Sequence, residues 1–343
     1  MRLRFNPIAA ALLVAAALLP LALAAADKKP AKDELQKPMA GPRACSLRVA
    51  WLYVSPDLGS QKIDKVQIGR EMVVAEHSGP WLRVYANTDI ELVHDKDTPV
   101  FGSEDSTTPP ISGWMEAKGI LIETTPNGDQ VLMGEAASQE QLAQDPRGPL
   151  NAAQTARLLY RRLVEIFPAS PLVPEAAWRA ADIQWQIQKS EAATRPSARE
   201  RASYMRDPMD EEEMKKLIKR WPGSKQADYA AYALIDNKLC GDWQGEPKCP
   251  AKESAFYEKF AQEHPDGPRT AQALYQAVYR QAVLNDMYST DGKDGKAANA
   301  RQRAQELAQR LREKFPQSDY AARATTLVFK LDQAIAVYGI ERQ

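Results

Sequence analysis

From Ala152 onward the apolar positions recur with a helical period. Ala156, Leu159, Tyr160, Leu163, Val164 and Phe167 fall at i, i+3, i+4, i+7, i+8 and i+11, the spacing of one apolar stripe on an α-helix. Met214, Leu217, Ile218 and Trp221 repeat the start of that stripe, as do Ala304, Leu307, Ala308, Leu311 and Phe315. Each stripe closes on a residue followed by proline: Phe167-Pro168, Trp221-Pro222 and Phe315-Pro316, with His264-Pro265 as a further copy. Proline pushes the residue before it out of the α region, so a helix end is predicted at each pair. Ser170, Ser224 and Ser318 are then spaced to accept a hydrogen bond from the free backbone N–H groups of the next helix. Asp266-Gly267-Pro268 occupies that place in the third copy. Alanine-rich runs follow, such as Ala176, Ala177, Ala180 and Ala181, or Ala227, Ala230, Ala231 and Ala233, whose small side chains let helices approach closely.

The four prolines, at 168, 222, 265 and 316, are 54, 43 and 51 residues apart. A helix–turn–helix unit cannot bury its stripe alone, so the copies are expected to stack as a solenoid over 152–339. Extra length falls in loops at 190–210, 240–250 and 288–296. The phrasing, an aromatic-proline pair, a small residue, Ser and an alanine run, resembles tetratricopeptide repeats, whose units are about 34 residues. It is most similar to the tetratricopeptide-like periplasmic proteins of the outer-membrane assembly lipoprotein and cell-division coordinator type. That resemblance implies a protein partner held on a concave face lined by the alanine-rich helices. Trp178, Trp185, Tyr232, Tyr275 and Tyr279, with Tyr229, are the candidate partner-groove residues on those helices.

Upstream, the period changes to two. Leu47-Arg48-Val49 and Trp51-Leu52-Tyr53-Val54 are rich in β-formers, and a turn SPDLGSQ follows. Lys65–Arg70, Met72–Glu76 and Trp81–Tyr85 read as further strands, the last alternating apolar and polar as a half-buried strand should. Gly113-Trp114-Met115 opens one last short strand. Short strands divided by turn signals predict a small antiparallel barrel over 45–125, with an insertion near 86–112 that carries Pro99, Pro109 and Pro110. LYVSPDLGSQKIDKVQIGREMVVAEHSGPWLRVY followed by GWMEAKGIL resembles a bacterial SH3 domain. The matching steps fall at Tyr53–Pro56, Gly59, Val66–Gly69, Gly79–Val84 and Gly113–Leu121; Val54 and Ser55 stand where that family has an arginine. The resemblance implies recognition of a cell-wall peptide or a protein tail, with Tyr53, Trp81, Tyr85 and Trp114 as candidate ligand-binding residues. The expected fold is therefore multidomain β + α: a small SH3-like β-barrel, a linker over 126–151 with room for a short helix at Ala136–Gln144, and an α-helical solenoid resembling tetratricopeptide arrays.

The chain opens with Arg2 and Arg4, an Ala/Leu/Val run from Ile8 to Ala25 and small residues at Ala22, Ala24 and Ala26. That is the pattern of a signal peptide over 1–26, with a retained anchor as the alternative. It implies a periplasmic or secreted protein, and no cysteine directly follows the run to suggest lipidation. The polar stretch 27–44 reads as a tether. No later segment is apolar enough to span a membrane.

Removing 1–26 takes two arginines and no acid from a chain with 45 residues of each sign, leaving a net charge of −2. That balance argues against nucleic acid as a partner. Of three cysteines, Cys240 and Cys249 flank the turn-rich GDWQGEPK and are expected to pair in an oxidising compartment. The chain-entropy model assigns such a loop roughly 2.5–3 kcal/mol. Cys45 is left over. The scattered His77, His94 and His264 and the unpaired spacing of the thiols speak against zinc, and no cofactor is expected. Cys45, His77 and His94 share a region, the one Cys/His grouping that could suggest a wall peptidase, but no nucleophile elbow accompanies it. Asp210–Glu213 precede a helical stripe, where the helix dipole favours acids. Gly292–Lys296 lacks phosphate-loop spacing and reads as a turn. The expectation is an exported, non-enzymatic adaptor or scaffold, binding protein through its repeats and peptidoglycan or a protein tail through its barrel. The alternatives are a targeting or regulatory subunit of a peptidoglycan hydrolase, or a purely structural envelope protein.

Overall fold

A computed structural model describes residues 40–89 and 110–338. The predicted leader, most of the tether and most of the insertion near 86–112 lie outside the described residues, as does His94. Seven described strands form one antiparallel sheet: β1 (Arg43–Ser46), β2 (Ala50–Tyr53), β3 (Lys62–Val66), β4 (Glu71–Ser78), β5 (Trp81–Ala86), β6 (Ile111–Glu116) and β7 (Ile120–Ile122). Their order is β3-β2-β6-β5-β4-β1-β7. Alternation sets the faces: Leu82, Val84 and Ala86 of β5 are buried while Arg83 between them is exposed. Leu52, Val66, Met72, Val74 and Met115 complete that core.

Three details differ from the sequence reading. β1 starts at Arg43, inside the stretch read as tether, and ahead of the expected strand at Leu47–Val49. It is built from one arginine and three small residues, which no apolar pattern marks. β3 ends at Val66 rather than running to Arg70, because Gly69 turns the chain with φ +79°. β7 is a further strand, pairing with β1.

The stretch expected to be a linker over 126–151 is mostly helix: α1 (Gly128–Gln144), about twice the length of the short helix allowed at Ala136–Gln144. It packs on α2 (Ala152–Ile166), which packs in turn on α3 (Val173–Ala193). Next come α4 (Glu212–Arg220) against α5 (Lys225–Ala233), and α6 (Lys248–Glu263) against α7 (Thr270–Thr290). α8 (Asp294–Lys314) and α9 (Asp319–Asp332) close on α7 and on each other.

The repeated phrase builds the same corner four times. Phe167, Trp221, His264 and Phe315 terminate α2, α4, α6 and α8 with φ between −119° and −130° and ψ between 55° and 61°. Each N–H still donates to the carbonyl four residues back, that of Leu163, Leu217, Phe260 or Leu311. Each carbonyl accepts from the N–H three residues on, that of Ser170, Ser224, Gly267 or Ser318, at 2.9, 3.2, 3.1 and 3.0 Å. The fixed φ of proline suits the second position of such a turn. Ser224 Oγ accepts from Ala227 N and Ser318 Oγ from Tyr320 N, as N-caps should; Ser170 Oγ accepts from Leu172 N just ahead of α3.

Sheet and helices share a core. Alternation along β1 puts Ala44 among the sheet's apolar residues and Cys45 among Leu132, Ala136, Leu159 and Leu163 of α1 and α2. Burial, opposed by nearby Arg162, pushes the Cys45 thiol up to about 12. Beside it Arg162 of α2, 1% exposed, donates from Nε to the Gly69 carbonyl at 3.0 Å and from Nη2 to Asp89 at 3.0 Å, and pairs with Glu165. Arg43 pairs with Glu71 and donates to the Glu165 carbonyl at 2.9 Å. Among the described residues, no helix is long and apolar enough to cross a membrane.

Candidate functional site

The second helices of three successive corners, α3, α5 and α7, line a groove enclosing about 360 Å³. Two polar stripes face across it. On α3 they are Trp178, Asp182, Gln186 and Lys189; on α7 they are Gln272, Gln276 and Arg280, preceded by its N-cap Arg269. Spacings of three and four residues keep each set on one helix face. Eleven residues at 1.5 Å rise make each stripe about 16 Å long. Tyr229, Tyr232 and Asp236 form the floor.

The aromatic rings are mostly turned on one another and on guanidinium groups. Trp178 stacks on Tyr229 at 5.1 Å. Arg269 lies over Tyr229 and Tyr232, at 5.4 and 5.9 Å. Tyr232 meets Tyr257 at 6.0 Å, and Arg280 lies 4.6 Å over Tyr257 and 5.7 Å from Trp243. Rings and cations thus form one connected series from α3 across α5 and α6 to the loop that carries Trp243. Each such contact contributes on the order of 1 kcal/mol or less where exposed and more where desolvated.

Charges in the groove divide into matched and open. Lys189 pairs with Asp236 at 2.7 Å, and Arg280 pairs with Glu253, 1% exposed, at 2.9 Å. Glu253 also accepts from Cys240 N at 2.9 Å and from the Trp243 indole at 3.1 Å. Arg269 is different. Its guanidinium donates to the Gln272 side chain at 2.9 Å, and no described carboxylate pairs with it. Among the described residues Asp182 accepts only from Gln186, at 3.3 Å, and burial raises its carboxyl above the usual range against the lowering pull of that bond and of Arg269. A cation and a desolvated carboxyl therefore look into the same cavity, with three glutamine side chains beside them.

Of the residues expected to form a partner groove, Trp178, Trp185, Tyr229 and Tyr232 line this cavity. Trp185 is 2% exposed and serves the core, its indole reaching Asp236 at 3.4 Å. Tyr275 and Tyr279 sit one position off the α7 stripe. Tyr275 faces Tyr320 of α9 at 5.7 Å, and Tyr279 faces Trp243 at 6.2 Å. Arg269, Gln272, Gln276, Asp182 and Gln186 were missed. The available signal was a polar stripe at three- and four-residue spacing, opposite the apolar one.

In the sheet, Tyr53, Trp81, Tyr85 and Trp114 do come together. Tyr53 opposes Trp114, Trp114 opposes Arg83, and Trp81 and Tyr85 flank Arg83 on the same face. Tyr53 is 7% exposed and meets Trp81 edge-on at 5.6 Å. Trp51, more exposed, lies between Lys62 and Lys65, whose ammonium groups are 4.7 and 4.6 Å from its ring.

The thiols and imidazoles are dispersed. Cys45 is buried, His77 is exposed on β4, and His264 bonds Asp228 at 2.6 Å. Cys240 and Cys249 form the expected disulfide. No protein-family model matches the chain, and no curated protein matches it; the site rests on its own chemistry.

Proposed function

We propose that the chain is an exported, non-enzymatic adaptor of the cell envelope whose helical groove holds an extended segment of a partner protein. The observation that carries this reading is the pair of polar stripes with Arg269 left without a carboxylate. A groove of about 16 Å accommodates about five residues of extended chain at 3.3 Å each. Gln186, Gln272 and Gln276 offer both donors and acceptors to a peptide backbone. Arg269 calls for an acidic side chain, and its planar fork suits a carboxylate. The helical region is read as a solenoid resembling tetratricopeptide arrays, on the strength of its four equal corners. The sheet is read as an SH3-like barrel. The leader-like N-terminus and the disulfide support a periplasmic or secreted location.

A second reading has one observation of its own. The shared face of Tyr53, Trp81, Tyr85 and Trp114 is the surface on which an SH3-like module would take a cell-wall peptide. The test for both is binding of the mature full chain to an array of random decapeptides and to purified peptidoglycan. The groove reading expects acidic peptides to bind, and Gln272→Ala/Gln276→Ala to weaken them roughly tenfold, as loss of two hydrogen bonds would. Peptide binding that ignores this double variant, or wall binding lost on Trp114→Ala with no peptide bound, overturns it.

A further inference from the structure

The disulfide does not lie in a closed core. Cys240 and Cys249 both line an open pocket of about 350 Å³ whose rim carries Arg201, Lys238, Lys248 and Lys252. Arg201 pairs with Glu246 at 3.6 Å. Among the described residues no carboxylate pairs with any of the three lysines. Cys240 is part-exposed, whereas Cys249 is 6% exposed and sits in the first turn of α6, between Lys248 and Lys252 in sequence. That helix has no acid in its first turn. Its positive end and two ammonium groups therefore favour negative charge on Cys249 sulfur.

The same bridge closes the loop that feeds Glu253. Among the described residues three groups donate to that buried carboxylate: Cys240 N, the Trp243 indole and Arg280 of the groove. We infer that the Cys240–Cys249 disulfide is a thiol-exchange site for an anionic thiol, and that its opening loosens Arg280 in the groove. In the first step the thiolate attacks Cys240 Sγ. The S–S bond breaks, its electron pair leaves on Cys249 Sγ, and a mixed disulfide forms at Cys240. A second thiolate attacks the outer sulfur of that mixed disulfide, and the two thiols are released joined to each other as a disulfide. Cys240 leaves as thiolate, and both cysteines take protons from water. Two thiols thus supply the two electrons the bridge accepts. A leaving sulfur on which charge is favoured leaves faster, and a cationic rim gathers an anionic attacker. Once the bridge is open, Glu253 keeps Arg280 but loses the constraint on its other two donors. The consequence for binding rests on the groove reading; the exchange chemistry does not.

The test uses the folded mature chain without denaturant, the anionic thiol glutathione, neutral 2-mercaptoethanol and cationic cysteamine, with rates corrected to thiolate. Alkylation and mass measurement count opened bridges. Buried Cys45 reports any global unfolding in the same spectrum, because it stays unlabelled while the chain is folded. The expected result is opening with Cys45 protected and a rate order of anionic, neutral, cationic. The spread should be roughly 3- to 10-fold at about 0.02 M salt and largely gone at about 0.5 M. Lys248→Gln/Lys252→Gln, two exposed positions, should bring the three thiols together. Amide exchange over 270–290 should quicken in the opened chain. Opening only in step with Cys45 labelling, or equal rates for the three thiols, overturns the exchange site. Unchanged exchange over 270–290 overturns the link to Arg280 alone, and does not touch the peptide-binding reading.

Discussion

Arg162 and Gly69 meet across the boundary between helices and sheet: the guanidinium Nε donates to the glycine carbonyl at 3.0 Å. A side chain there would be strained and crowded, since a Cβ would stand 3.0 Å from Leu158 Cβ and the φ is +79°. Around this contact Asp89, Glu71 and Glu165 complete a buried charge network, and Cys45 fills the apolar side. The sheet and the first helices therefore fold as one body. A chain begun at Asn151 would lose α1 as well as the sheet, and would expose the apolar and charged faces of α2.

Replacing Arg162 by methionine should cost about 1–3 kcal/mol: the Gly69 carbonyl and Asp89 lose a buried donor, although Arg70 still pairs with Asp89 and Arg43 with Glu71. Thermal unfolding followed separately by near-UV and far-UV circular dichroism should fall to a lower midpoint while the two signals stay coincident. Two separated transitions in the wild type would contradict the single body.

Two glycines with nearly the same φ separate backbone strain from packing. Gly223 has φ +74° and nothing within 4 Å of its missing Cβ, so Gly223→Ala should cost about 1–2 kcal/mol. Gly69→Ala adds overlap with Leu158, and should cost roughly 2–5 kcal/mol. Denaturant midpoints of the two variants at equal slope check the order; equal losses would remove the role given to Leu158.

Much of the helical region could be read from the chain alone. Proline at 168, 222, 265 and 316 dictates where helices end through one steric rule, and the rule acts locally. α1 could not be read so directly. Only Gly128, Leu132 and Ala136 are buried along it, and Asn127, at φ 54°, begins it in a conformation that looks like a turn. Arg162 was equally hidden. The apolar stripe marks one face of α2, while a second face is covered by the sheet, whose residues lie 93 positions away at Gly69. The groove divided in the same way. Its aromatic residues were visible by type, but which of them face one another depends on how α3, α5 and α7 stack. Tyr275 and Tyr279 went to packing for that reason.

Asp182 should show a pH signature. Burial raises its carboxyl in the folded chain, against the Gln186 bond and Arg269. The folded chain therefore keeps a proton that the unfolded chain has already released. Stability from this group falls as pH rises through the unfolded value near 4 and is lowest above the folded one. Asp182→Asn should be more stable than wild type at about pH 7, with the difference shrinking toward zero below about pH 4. Urea denaturation at both pH values measures it; an Asn variant that is less stable at neutral pH would contradict the desolvation account.

The central claim is that Arg269 reads an acidic side chain on an extended peptide. The direct measurement is a charge swap in the mature full chain: affinities of wild type and Arg269→Glu for one acidic array peptide and for its Lys-for-acid counterpart. The account predicts that wild type prefers the acidic peptide roughly tenfold or more, and that Arg269→Glu reverses the preference. Affinities that ignore the swap, in a variant with unchanged thermal midpoint, would show that the groove does not read charge at Arg269.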